Sequence, residues 1–220
     1  MPVRDDSVSA PRTLRHHNVF LSASIPDPKR WDGPFDALEV TDAVVAAGRS
    51  VLALDGVLVT AAHPTIAPLL LYVAAEFPAT EEPSVIVYQS ELFDDVLPEP
   101  TRRFGEDGIG DLRWTPRVAG ESPTPGRWNE SLALMRRQML SEADPIGAVF
   151  IGGMSGIIDE FELYRDLFPL RPVYPIGRPG GEARALAPRV ESRVPHLFDG
   201  ESYPVLFRQI MADIADELPD

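Results

Sequence analysis

Five short apolar runs, NVFLSAS (18–24), GVLVTAA (56–62), SVIVYQS (84–90), GAVFIGG (147–153) and RPVYPIG (171–177), alternate with stretches of helical spacing. Each run is apolar almost throughout rather than at every second position, so both faces of each strand need cover. Strands of that kind, separated by helices, assemble as a parallel sheet with helices on both sides. The fold class read from this pattern is α/β: a single doubly wound, mainly parallel, Rossmann-like sheet.

The intervening segments carry the matching helical signals. Between Phe35 and Leu54, residues Leu38, Val45 and Leu52 share one face. PTIAPLLLYVAAEF (64–77) reads as a helix provided that Pro68 falls in its first turn, where the missing N–H costs nothing. In NESLALMRRQMLSEA (129–143), Asn129 is placed to cap and Leu132, Met135 and Met139 line one side. SGIIDEFELYRDLF (155–168), a short GGEARALA (180–187) and YPVLFRQIMADIADEL (203–218) complete the helices. From Glu91 to Arg127 the pattern dissolves into Pro, Gly and charge, with DLRWTP (111–116) as one further strand. Residues 1–17 read as a flexible polar tail and 18–220 as one domain, with no internal repeat.

Charge and residue usage then narrow the partners. A formal net charge of −14 argues against duplex DNA or RNA, whose binding is driven by Lys and Arg, and against anionic membranes. A small anion is still admissible, because helix N-termini and one or two arginines make a pocket locally positive. No apolar run approaches the roughly 20 residues of a membrane-spanning helix. The N-terminal stretch is not of signal-peptide type, and the chain has no cysteine, which together lead us to expect a cytoplasmic protein. His16 and His17 belong to the tail and His196 stands alone, so no metal site and no cofactor is expected.

In open α/β sheets, ligands bind beyond the carboxyl ends of the strands where strand order reverses. Those ends supply Ser22 and Ser24; then Ala62, His63 and Thr65 of AAHPT; then Gln89; then Gly152, Gly153, Met154, Ser155 and Gly156 of GGMSG. AAHPT and GGMSG each lead into a helix, and so offer free backbone amides. The glycines admit two readings, a phosphate cradle or a tight turn. Asp159 and Glu160 likewise serve as catalytic carboxylates or as acidic residues favoured by a helix dipole.

The segment LMRRQMLSEADPIGAVFIGGMSGIIDEFEL resembles the corresponding part of the Lonely Guy (LOG) cytokinin-activating phosphoribohydrolases. Those enzymes carry an E-R-K helix, a strand, and then P-G-G-x-G-T-x-x-E opening the next helix. They share a Rossmann-like fold with other members of the SLOG superfamily. VFLSASIPDPKRW, VLVTAAHPTIAPLL and VYQSELF are similar to bacterial SLOG-type proteins associated with nucleotide signalling and conflict systems, and the likeness runs from Val19 to about Phe207. It implies that Arg136 and Arg137 stand where LOG holds phosphate, and that Gly152 and Gly153 match the paired glycines. Counting from that pair, Asp159 falls on the catalytic glutamate's position and Glu160 one residue later. Met135 replaces the acidic residue before the arginine, Ile151 the proline, and Ser155-Gly156 the Gly-Thr; Ala61 and Ala62 stand where relatives tend to carry Gly-Gly.

The reading that follows is a module binding or sensing a nucleotide-derived ligand of the ADP-ribose or NAD kind. The alternatives are a LOG-like N-glycosidic hydrolase using Asp159 or Glu160, and a degenerate homologue serving as a protein-interaction module. The same resemblance implies a homodimer.

Overall fold

A computed structural model describes residues 13–78, 82–123, 129–194 and 202–218. The tail up to residue 12 and His196 lie outside the described residues. Six strands form one sheet in the order β4-β3-β2-β1-β5-β6. They are β1 (Asn18–Ser24), β2 (Val57–Ala61), β3 (Val85–Ser90), β4 (Asp111–Thr115), β5 (Gly147–Gly152) and β6 (Val173–Ile176). Every pairing is parallel. The chain moves outward from β1 to β4, returns to β5 on the other side of β1, and so reverses strand order between β1 and β5. The register there sets Ser22 beside Phe150 and Ser24 beside Gly152.

The apolar runs are buried on both faces, as their composition demands. On one face α1 (Ala37–Leu52), α2 (Ile66–Ala75) and α7 (Tyr203–Asp216) enclose Leu21, Val40, Val44, Leu70, Val149 and Ile210. On the other, α4 (Glu130–Ala143), α5 (Ser155–Leu167) and α6 (Gly181–Leu186) enclose Phe20, Phe150, Met139, Phe161 and Tyr164. Asp36 caps α1 by accepting from the amides of Leu38 and Glu39, and Asn129 caps α4 by accepting from Leu132 N–H. Pro68 does sit in the first turn of α2.

Two segments differ from the sequence reading. Within the stretch between Glu91 and Arg127, α3 (Glu99–Glu106) follows a 3-10 turn over Glu91–Val96. Four of the eight residues of α3 are charged, so it has no apolar stripe to betray it. Leu14, within the stretch read as tail, is fully buried, and its amide donates to Leu54 O at 2.7 Å. The segment at 13–17 is held by that bond, by a local turn in which His17 N–H donates to Leu14 O, by Val57 N–H donating to His17 O, and by the packing of Leu14 in the core.

What positions the site is a stack of three loops at the carboxyl end of the sheet. Asp36 N–H donates to Pro179 O, Gly181 N–H to Pro34 O, and Glu182 N–H to Gly153 O. A Cβ on Gly180 would fall 2.2 Å from Pro34 O, and one on Gly181 would fall 2.4 Å from the carbonyl carbon of Gly152. Both glycines have positive φ (84° and 68°), so side chains are refused by conformation as well as by space. Beside the stack, Glu39 accepts from Arg178 Nη2 at 2.7 Å and from the Tyr203 hydroxyl, which ties α1, the β6–α6 loop and α7 together.

Candidate functional site

A cavity of about 200 Å³ opens at the carboxyl ends of β1, β2 and β5. Strand β1 contributes Ser22 and Ser24, and the loop after it contributes Arg30; β2 and its loop contribute Thr60, Ala61 and His63. Arg136 enters from α4, while Met154, Ser155, Gly156 and Glu160 come from the β5–α5 junction. This is the point of strand reversal, where diverging loops leave a crevice.

The floor is a closed polar cluster. Arg136 (8% exposed) donates from Nε to Glu160 Oε1 at 3.0 Å, and Ser22 Oγ (3% exposed) donates to Glu160 Oε2 at 2.5 Å. Glu160 itself is 8% exposed. Arg136 also reaches outward, donating from Nη1 to Asp159 Oδ2 at 2.9 Å, although Asp159 is exposed. A buried carboxylate is sustainable only when paired and hydrogen-bonded, and Glu160 has both kinds of partner.

Small residues make this cluster fit. Gly156 lies so close to Arg136 that a Cβ there would come within 2.7 Å of Nη2. The guanidinium is fixed by two carboxylates and cannot simply swing aside. The Ser-Gly order at 155–156 thus has a physical reason, because a threonine at 156 would displace Arg136. Gly152 and Gly153 adopt φ of 65° and 73°. Gly153 N–H donates to Ser24 O at 2.7 Å, and a Cβ on Gly152 would meet that same oxygen at 2.6 Å. Their role in the fold is therefore the tight turn, with the amide already used.

The mouth offers donors. Met154 gives α5 no side-chain cap, so the first amides of the helix, at Ser155 and Gly156, lack a capping acceptor. At the head of α2, Thr65 N–H donates to His63 Nδ1 at 3.4 Å and the Thr65 hydroxyl lies 3.0 Å from it. With Nδ1 accepting, the proton resides on Nε2. Desolvation holds the His63 pKa down at about 4, so the ring is neutral at pH 7. Arg30 is exposed, and its guanidinium has no hydrogen-bond or ion-pair partner among the described residues.

The family model described as the SLOG cluster3 family matches residues 31–211. The chain belongs to the SLOG cluster3 family. No curated protein matches it.

Of the residues expected at the site of this SLOG protein, Ser22, Ser24, His63, Arg136, Met154, Ser155, Gly156 and Glu160 share the one cavity. The others lie elsewhere. Ala62 N–H donates to Tyr88 O, the Gln89 side chain accepts from Ser90 N–H, and Thr65 is engaged with His63. Gly152 and Gly153 stand behind the wall, and Asp159 touches the site only through Arg136. Arg137, next to buried Arg136, faces solvent. Sequence reasoning passed over Arg30 and Thr60. The signal for Arg30 was available, because the loop leaving β1 at the reversal point borders the crevice as surely as the strand end does. Among the described residues, no group of three or more His, Asp or Glu stands together to hold a metal ion, and no helix is long and apolar enough to cross a membrane.

Proposed function

We propose that this SLOG protein binds a nucleotide-derived small molecule at the β1–β5 reversal, as a binding or sensing module. The observation that carries the reading is the convergence on one cavity of the Ser22–Glu160–Arg136 floor and the donors of the mouth. Family membership supports it, because the match over residues 31–211 spans the β2, α4 and β5–α5 parts of the cavity, while β1 and Arg30 precede it. Size restricts what enters. About 200 Å³ is below the roughly 300–1,000 Å³ of pockets that engulf drug-sized ligands, so one ribosyl end is admitted and the remainder lies outside.

A second reading, N-glycosidic hydrolysis, is favoured by one feature: a buried carboxylate, Glu160, at the cavity floor. It would stabilise the ribosyl cation, take the proton of the attacking water and pass it to the departing base, so that ribose gains the hydroxyl and the base leaves protonated. Thermal-shift titration with AMP, ADP-ribose and NAD, followed by chromatography for released base, separates the two. Stabilisation without product supports binding alone. Product that vanishes in Glu160→Gln and persists in Asp159→Asn supports hydrolysis. Absence of any shift refutes both.

A further inference from the structure

The cavity is polar at both ends, but with opposite hydrogen-bonding sense. At the deep end stand Glu160, Ser22 and Thr60, none more than 8% exposed. Each Glu160 oxygen accepts one hydrogen bond from the protein, and a carboxylate oxygen has room for two. Ser22 spends its proton on Glu160 and keeps its lone pairs, and the Thr60 hydroxyl makes only a long contact of 3.4 Å to Ala61 O. This end accepts hydrogen bonds. The mouth gives them, through Arg30, the Nε2–H of His63 and the amides of Ser155 and Gly156.

Arg136 spends its Nε and Nη1 donors on carboxylates, and its Nη2 lies beside Gly156. Its charge already faces two carboxylates, Asp159 at 2.9 Å and Glu160 at 3.0 Å. A phosphate seated on Arg136 would lie beside both, and like charges that close repel strongly. Arg30 is the cation on this cavity without a carboxylate partner among the described residues.

On the reading that this cavity takes a nucleotide-derived ligand, we infer that a ribose enters with its hydroxyl edge first, onto Glu160, Ser22 and Thr60, while its phosphate stays at the mouth on Arg30 and His63. The ligand class is then a ribonucleotide with free ribose hydroxyls. The resemblance to LOG places phosphate on Arg136; the charge arrangement moves it to Arg30. Arg136 becomes a positioning residue that holds Glu160 in place.

Titration calorimetry with AMP, adenosine and 2′,3′-dideoxy-AMP tests the arrangement on the full chain. Arg30 is exposed, so Arg30→Gln leaves the core untouched. The expected result is that Arg30→Gln weakens AMP by tenfold or more and adenosine by less than twofold. In the unaltered protein, removing both hydroxyls weakens AMP by tenfold or more, because buried acceptors are left without donors. If AMP binds but is indifferent to Arg30→Gln, or binds as tightly without its hydroxyls, this inference falls while the proposed function stands. If neither AMP nor ADP-ribose binds the unaltered protein, the proposed function falls and this inference with it.

Discussion

Replacing Arg136 by Met tests whether the site floor is a closed, desolvated ion pair. The substitution keeps most of the side-chain length but leaves Glu160, 8% exposed, with only the Ser22 hydroxyl. Removing one partner of a buried pair costs about 3–5 kcal/mol, since the charge left behind has no compensation. The outer bond to Asp159, whose side chain is 52% exposed, adds at most ~1 kcal/mol. Glu160→Leu alone is expected near the low end of the same range, because Arg136 retains Asp159. The double variant removes both charges, so most of the loss should return. What persists is Ser22 without its acceptor, about 1 kcal/mol. Urea unfolding of the four proteins at pH 7 gives the cycle, with unchanged m-values showing that compactness is preserved. A loss below ~1 kcal/mol for Arg136→Met, or losses that add in the double variant, would refute the argument.

Gly152→Ala forces a side chain into φ 65° and sets its Cβ 2.6 Å from Ser24 O. Conformational strain and overpacking together predict a loss of about 2–5 kcal/mol, and an unchanged melting temperature would count against it. Gly156→Ala should cost about 1–2 kcal/mol by pushing Arg136 aside, and should cost much less in an Arg136→Met background; equal costs in both would exclude the steric cause. His63 has its folded pKa held near 4, below the 6.5 of an unperturbed ring, so the unfolded chain takes up the proton first. Stability is therefore complete above about pH 6.5 and declines as pH falls towards 4, by roughly 1–2 kcal/mol for a ring that keeps some water contact. Denaturation midpoints at several pH values should fall less in His63→Asn than in the unaltered protein, and parallel curves would remove His63 as the cause.

The parallel sheet was legible because uniformly apolar runs such as GAVFIGG have few other solutions. Leu14 and α3 were not, since one is a lone apolar residue in a polar stretch and the other a charged helix. At the site, the reversal rule located Ser22, His63 and Gly156 without any side-chain geometry. It could not say which of Asp159 and Glu160 turns inward. Neighbours on a helix point about 100° apart, so that answer depends on where α5 begins, and helix starts are read only to within a residue or two. The glycine pair was ambiguous for a different reason. A free amide and a used one look identical in sequence, and Gly153 proved to be bonded to Ser24.

The stacked loops also bear on the order of events during folding. Pro34, Gly152 and Gly181 touch through their backbones yet come from the first, third and last quarters of the chain. Contacts so distant in sequence reward the chain only after long loops have closed, which places them late. The cavity wall is complete only once these distant segments have met. A ligand that needs this wall recognises only chains that have finished folding, and it selectively protects those from unfolding.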